Sequence, residues 1–287
     1  MEFTSVQQLE AALSEHSYLA DHGLAVTAYL ALKLGRPLLL EGEPGVGKTE
    51  LARTLARVMG LRLIRLQCYE GIDAGQALYE WDYARQLLHA RALQDGAAAG
   101  SGELYGPEFL VERPLLAAVR AGDRALLLID ELDRADDEFE AFLLEVLADF
   151  QVTIPEIGTI ASERPPVVVI TSNRTRELHD ALKRRCLFHW IDYPDVARET
   201  EIVRLRAPGV SEALAASVAQ AVALLRDADL IKPPGPAESV DWARAVDALG
   251  FTSLELEVAE ATLGALVKNP DDIHAARRAL AEELSGE

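Results

Sequence analysis

The stretch Arg36–Arg57, RPLLLEGEPGVGKTELARTLAR, decides how the rest of the chain is read. It contains G-x-x-x-x-G-K-[ST] in full, at Gly42, Gly47, Lys48 and Thr49. Leu38–Leu40 is a short apolar run after a proline and predicts a buried strand. From Thr49 to Val58, apolar residues recur at helical spacing (Leu51, Leu55, Val58), and Gly60 ends the pattern. The motif therefore joins a strand to a helix N-terminus, the context that gives it meaning. Gly42, Gly45 and Gly47 let the backbone curl and turn its N–H groups inward, and the helix N-terminus adds partial positive charge. The loop Gly42, Glu43, Pro44, Gly45, Val46, Gly47 is thus suited to a phosphate. Lys48 reaches toward β- and γ-phosphates, the Thr49 hydroxyl toward Mg²⁺, and Glu50 lies beside them in the first helical turn.

Composition narrows the class. The 287 residues suit two domains, or one domain with a lid. Hydrophobic residues make up 49%, enough for a core, and no apolar run approaches a membrane span. The N-terminal MEFTSVQQLEAALSEH lacks the basic and apolar regions of a signal peptide, so none is expected. Cys68 and Cys186 are the only cysteines, which points to a reducing cytoplasm and no disulfide framework. A net charge of −19 argues against broad contact with a nucleic-acid backbone. The His residues are scattered without metal-ligand spacing.

In chain order, residues 5–34 read as one or two helices with a break at Tyr18–Gly23, where Tyr18 is placed to cover an adenine. Arg62–Cys68 alternates as a second strand. Residues 74–93 look helical, Asp95–Gly102 reads as a loop tip, and residues 114–120 resume a helix. The whole segment 69–114 is an insertion into a simpler βαβ plan. Ala125–Glu131, ALLLIDE, is a buried strand that ends in two carboxylates. Asp130 is placed to hold Mg²⁺ through its water shell, and Glu131 to polarise a water against the γ-phosphate. An amphipathic helix is expected over Phe139–Phe150. Alternation around Pro155–Gly158 predicts a hairpin within 151–166. The strand Val167–Ile170 leads to Asn173, placed at the γ-phosphate. After the strand Leu187–Tyr193 the chain turns all-helical, with helices at 196–206, 211–227, 239–249, 253–267 and 271–284. The expected division is an α/β domain over 1–194 and a helical lid over 195–287.

These motifs together resemble the AAA+ ATPases: Walker A, a Walker B ending in Asp-Glu, an Asn after the next strand, then Arg-Arg and a helical lid. The insert at 69–114 and the hairpin at 151–166 resemble the helix-2 insert and pre-sensor-1 hairpin of one AAA+ branch. The order LLIDELDRA, LLEVLADFQVTIP, VVVITSN, LKRRCLFHWIDYP is most similar to MoxR ATPases of the CoxD-like kind. The resemblance implies an α/β P-loop fold with a five-stranded parallel sheet, ATP and Mg²⁺ as cofactors, and a ring, expected to be a hexamer. It makes Asn173 sensor 1. Arg185 becomes the arginine finger acting on the next subunit's ATP, with Arg184 as fallback. Where a sensor-2 arginine is usual this chain has Glu238, and Arg244 is the substitute. The family's work implies a client metalloenzyme or complex that is remodelled or given its metal cofactor, with a von Willebrand factor A domain protein as partner. A low-turnover assembly scaffold and a DNA-directed motor are the rival expectations.

Overall fold

The computed structural model describes residues 3–94 and 104–284; the expected loop tip Asp95–Gly102 lies outside the described residues. Five strands form one sheet in the order β2-β5-β8-β1-β9. They are β1 (Leu38–Gly42), β2 (Arg62–Gln67), β5 (Ala125–Asp130), β8 (Val167–Ser172) and β9 (Leu187–Ile191). Every residue of β1 and β5 is buried, as for strands covered on both faces. β5 lies parallel between β2 and β8, and β8 parallel to β1. From β1 the chain crosses to β2 at the far edge through helix α3 (Lys48–Met59) and fills back inward. β1 is therefore the point where strand order reverses, where open α/β sheets bind ligands at the strands' carboxyl ends.

Before the sheet, helices α1 (Val6–Glu15) and α2 (His22–Leu34) are separated by residues 16–21, two residues earlier than the expected break at Tyr18–Gly23, so His22 and Gly23 open α2. Asp21 caps α2 by accepting from the Leu24 amide at 2.7 Å. Gly35, at φ +60°, ends it in the left-handed conformation.

The insert differs from expectation in one respect. Residues 74–93 are not one helix but α4 (Ala74–Leu78), strand β3 (Tyr79–Trp81) and nearly all of α5 (Tyr83–Gln94). β3 pairs antiparallel with β4 (Leu110–Glu112), Trp81 facing Leu110. Helical spacing lost to a tertiary contact: Trp81 is buried with Phe109, Leu116, Val119, Val146, Val152 and Ile154. Tyr105 packs edge-on against Trp81, 5.3 Å between ring centres. The hairpin β6 (Gln151–Ile154) and β7 (Gly158–Ala161) pairs Val152 with Ile160 and Ile154 with Gly158. It places Val152 and Ile154 in the same cluster. Between these paired elements run α6 (Pro114–Ala121), which packs on β2 and β5, and α7 (Asp137–Asp149). Helix α8 (Asp180–Arg185) precedes β9.

Packing divides the chain into two units. The first takes in the stretch ending at Leu9, Asp21–Glu41 and Leu51–His189. The second takes in Glu10–Ala20, Gly42–Glu50 and Trp190–Glu287, so the phosphate loop groups with the helical region. That region comprises α9 (Val196–Arg206), α10 (Glu212–Asp227), α11 (Pro236–Ala248), α12 (Leu256–Leu266) and α13 (Pro270–Leu284). Its core is built on Val203, Leu214, Val218, Val222, Trp242 and Leu263. One buried ionic group ties the helices together. Arg226 on α10 makes a two-pronged pair with Glu199 on α9, and Ser239 on α11 donates to the same carboxylate.

Trp242 is fully buried and its indole N–H donates to the Thr262 hydroxyl at 2.8 Å. Trp242→Ala is expected to destabilise the helical unit by about 3–5 kcal/mol, read by denaturant titration. Loss of hydrogen-exchange protection should appear first in α10–α12.

Candidate functional site

The phosphate loop has the backbone that its glycines imply. Gly42, Gly45 and Gly47 hold φ of +155°, +82° and +97°. A Cβ at Gly42 would collide with the Ile191 carbonyl, and one at Gly45 would come within 2.9 Å of the Glu238 carboxylate. Lys48 is buried, and its ammonium donates to the carbonyls of Gly42 at 2.6 Å and Glu43 at 2.7 Å. The side chain thus curls back across its own loop. Lys48, Thr49 and Glu50 open α3, and Glu50 pairs with Arg206 of α9 at 2.9 Å. Glu43 and Pro44 are exposed on the loop, and Val46 is buried beneath it. Tyr18 is 8% exposed, its ring against Gly47, where a Cβ would lie 3.5 Å from Cε2.

The helical C-terminal region departs from the arginine that the resemblance leads one to expect. Glu238 accepts from the Gly235 amide at 3.1 Å and so caps α11, whose first residues abut Pro44 and Gly45. Arg244 is exposed and donates to the Arg206 carbonyl at 2.6 Å.

The two carboxylates at the end of β5 have different surroundings. Asp130 is 1% exposed; it accepts from the Thr171 hydroxyl at 2.6 Å and from Arg65 Nε at 2.8 Å. Glu131 takes a left-handed backbone, φ +56°, with its amide on the Thr171 oxygen at 2.9 Å. Its carboxylate reaches outward, accepting from Gln67 at 3.0 Å and lying 3.4 Å from Arg134. Thr171 thus donates to one acid and accepts from the next. Beside them, burial first and then the charge of Asp130 push the Cys68 thiol up to about 12.

Asn173 follows β8 and is held by its backbone. Its amide donates to Asp133 at 3.1 Å; the Thr175 amide and hydroxyl donate to the same carboxylate at 3.0 and 2.6 Å. Burial raises the Asp133 pKa, but the bonds from Thr175 and Asn173 outweigh it and hold the group below the usual carboxylate range. The same loop is fastened again at Glu140, fully buried, which accepts from the His179 amide at 2.9 Å and pairs with Arg176. At the end of α8, Arg185 donates to the Leu144 carbonyl at 2.5 Å. The Arg184 guanidinium is exposed and bonds to no described residue. A groove of about 610 Å³ along α7 and β6 is bordered by Phe142, Leu144, Val152 and Arg185, and no Walker residue lines it.

Sequence reasoning did not single out Asp133, Glu140, Arg65, Gln67 or Arg206. Two left a signal. Asp133 stands three residues after Asp130, and Glu140 shares the buried face of α7 with Leu143 and Leu147. A charge on an apolar helix face announces a buried partner.

Residues 37–186 match the family described as AAA domain (dynein-related subfamily). The chain belongs to this family. Among curated relatives, the uncharacterized protein YehL of Escherichia coli K12 is 31% identical over 185 residues, 61% of this chain and 46% of that protein. An uncharacterized Staphylococcus epidermidis protein is 28% identical over 183 residues, 61% of this chain and 63% of its own. This AAA chain thus spans only 46% to 63% of those relatives' lengths. Among solved structures, a mutant RuvB from Thermotoga maritima is 17% identical with a TM-score of 0.53, covering 92% of this chain and 71% of that one. At that identity the likeness shows the fold: an α/β P-loop AAA+ architecture with a helical C-terminal region.

Asp133→Ala leaves the Asn173 and Thr175 amides without their acceptor. The expected cost is about 1–3 kcal/mol of stability by urea titration at neutral pH. Because the folded-state pKa is depressed, the wild-type residue contributes fully above the unfolded carboxylate value of about 4. That contribution should fade as pH falls through the lower folded value, so the gap between wild type and variant should narrow in acid.

Proposed function

We propose that this AAA chain is a Mg²⁺-dependent ATPase of the MoxR kind, working in the cytoplasm as a ring, expected to be a hexamer. It would use hydrolysis to remodel a client protein or complex, or to equip it with a metal cofactor, with a von Willebrand factor A domain protein as partner. Residues 1–194 would form the nucleotide-binding domain and 195–287 the lid. The observation that carries the ATPase reading is the Asp130–Glu131 pair. One carboxylate is buried against a cationic guanidinium, and the next projects with 37% of its side chain exposed. Adjacent acids in such different surroundings suit different tasks.

In this reading, the inward-curled loop and Lys48 bind the phosphates. Asp130 and the Thr49 hydroxyl offer the hard oxygen ligands that Mg²⁺ prefers, and Asp130 would share its carboxylate between the metal and Arg65. When bound, Mg²⁺ neutralises charge on the β- and γ-phosphate oxygens. Glu131 takes a proton from the attacking water, and Asn173 orients that water or the γ-phosphate. Glu131 must first exchange its Gln67 contact for the water. Arg185, or Arg184 in its place, acts on the nucleotide of the neighbouring subunit. Tyr18 covers the base, and Arg244 serves the lid.

The test is phosphate release with ATP and Mg²⁺. Lys48→Ala should abolish nucleotide binding, whereas Glu131→Gln should bind and not turn over. Arg185→Ala should bind normally yet slow turnover by roughly 10³–10⁵, about 4–7 kcal/mol of barrier. Mixing it with Lys48→Ala should restore activity at shared interfaces. Wild-type turnover per subunit should rise with concentration as rings form. Wild-type hydrolysis by Glu131→Gln would refute the base assignment. Constant activity across dilution, with dead mixtures, would refute the ring.

A further inference from the structure

We propose that Arg36 is a positioning residue for the arginines that end α8, and that it ties them to the strand leading into the phosphate loop. The inference rests on the reading that Arg185 or Arg184 acts across a subunit boundary.

Arg36 sits between the αL cap of α2 and Pro37. Its own amide bonds to the Ala31 carbonyl at 3.1 Å, so its backbone is fixed by the helix end. Its side chain turns to the segment that leads into β9, the neighbour of β1 in the sheet. Nε donates to the Arg185 carbonyl at 3.0 Å, and Nη2 donates to the carbonyls of Arg184 at 2.6 Å and Cys186 at 3.3 Å. The Leu187 amide returns a bond to the Pro37 carbonyl at 2.8 Å. The two segments are stitched together from both sides.

These are carbonyls that a helix leaves without partners at its C-terminus, where partial negative charge collects. A planar guanidinium reaches these three carbonyls from two separate nitrogens held in a fixed fork, whereas an ammonium offers its three donors from a single point. The choice is notable because α8 already carries Lys183, Arg184 and Arg185 in its last turn. A fourth cation there raises the local repulsion, and its own carbonyl bonds are what offset it. That repulsion also disfavours folding the Arg184 and Arg185 side chains toward Arg36. Arg184 extends into solvent, and Arg185 lies against the Leu144 carbonyl of α7. Arg36 therefore sets the backbone from which both arginines leave, whichever of them reaches the neighbour.

The strand that follows, β1, runs only from Leu38 to Gly42. Its first end is bound to the arginine-bearing helix and its last residue opens the phosphate loop. β1 thus runs from the segment that Arg36 holds to the first residue of the phosphate loop.

The experiment is a double-mutant cycle with subunit mixing, on the full chain. Arg36→Ala should bind ATP like wild type and lose roughly 10–100-fold in kcat, the scale of a misplaced catalytic group. Combined with Arg185→Ala, or with Arg184→Ala if that is the active arginine, it should add no further loss. Mixed with Lys48→Ala it should recover activity, and mixed with Arg185→Ala it should not. Arg36→Lys, which keeps the charge and loses the fork, should fall between and fold if the alanine variant does not. Multiplicative losses in the double mutant, or wild-type kcat in both Arg36 variants while Arg185→Ala is slow, would overturn the inference alone. Wild-type turnover by both Arg184→Ala and Arg185→Ala would overturn the underlying reading, and this one with it.

Discussion

The register of three parallel strands is the constraint on which the rest depends. Ile129 faces Ile170, Leu39 faces the same Ile170, and Leu40 faces Thr171. Side chains alternate along a strand, so a slip of one residue would send Thr171 to the opposite face from Asp130. The Asp130–Thr171–Glu131 relay would then have no middle member. Burial on both faces makes such a slip costly, since every displaced Leu, Val or Ile loses its contacts. The apolar sheet thus does the aiming for a few polar groups at its carboxyl edge.

Beyond that edge the chain is irregular, and buried carboxylates take over from strand pairing. Asp133 and Glu140 hold the segment from Asn173 to His179 through its amides and through Arg176. In the helical unit, Glu199 plays the same part for Arg226, whose Nε also donates to the Pro234 carbonyl at 2.8 Å. Pro234 precedes the Gly235 that abuts Pro44 and Gly45. Such arrangements contribute little net stability relative to a well-packed apolar substitute, but removing one partner leaves a costly buried charge. What they specify is where a loop lies.

Most elements were legible because their signals are local. The phosphate loop, the strand ending at Asp130, the hairpin and the helices after Pro194 follow from periodicity and turn residues close in sequence. The presence of an insert was legible, but its internal pairing was not. Tyr79 and Trp81 read as part of a helix, and only the pairing with Leu110–Glu112, some thirty residues on, makes them a strand. The bracing residues were hidden for the same reason. Arg65, Gln67 and Arg36 act on groups 65, 64 and about 149 residues away, and no local pattern marks them. Identity of the groups that touch phosphate is a motif property, whereas identity of the groups that hold them is a property of the folded chain.

The two cysteines carry a practical consequence. Cys68 lies against the acids that end β5, and Cys186 is the residue at which α8 stops; burial raises both thiols to about 12. At neutral pH both are therefore held as thiols, and both residues are buried. A thiol reagent will therefore modify each one only when its surroundings open. Labelling rates at Cys68 and Cys186 become two native clocks, one for breathing at the carboxylate edge and one for breathing beneath the arginine-bearing helix. Both come without any engineered probe.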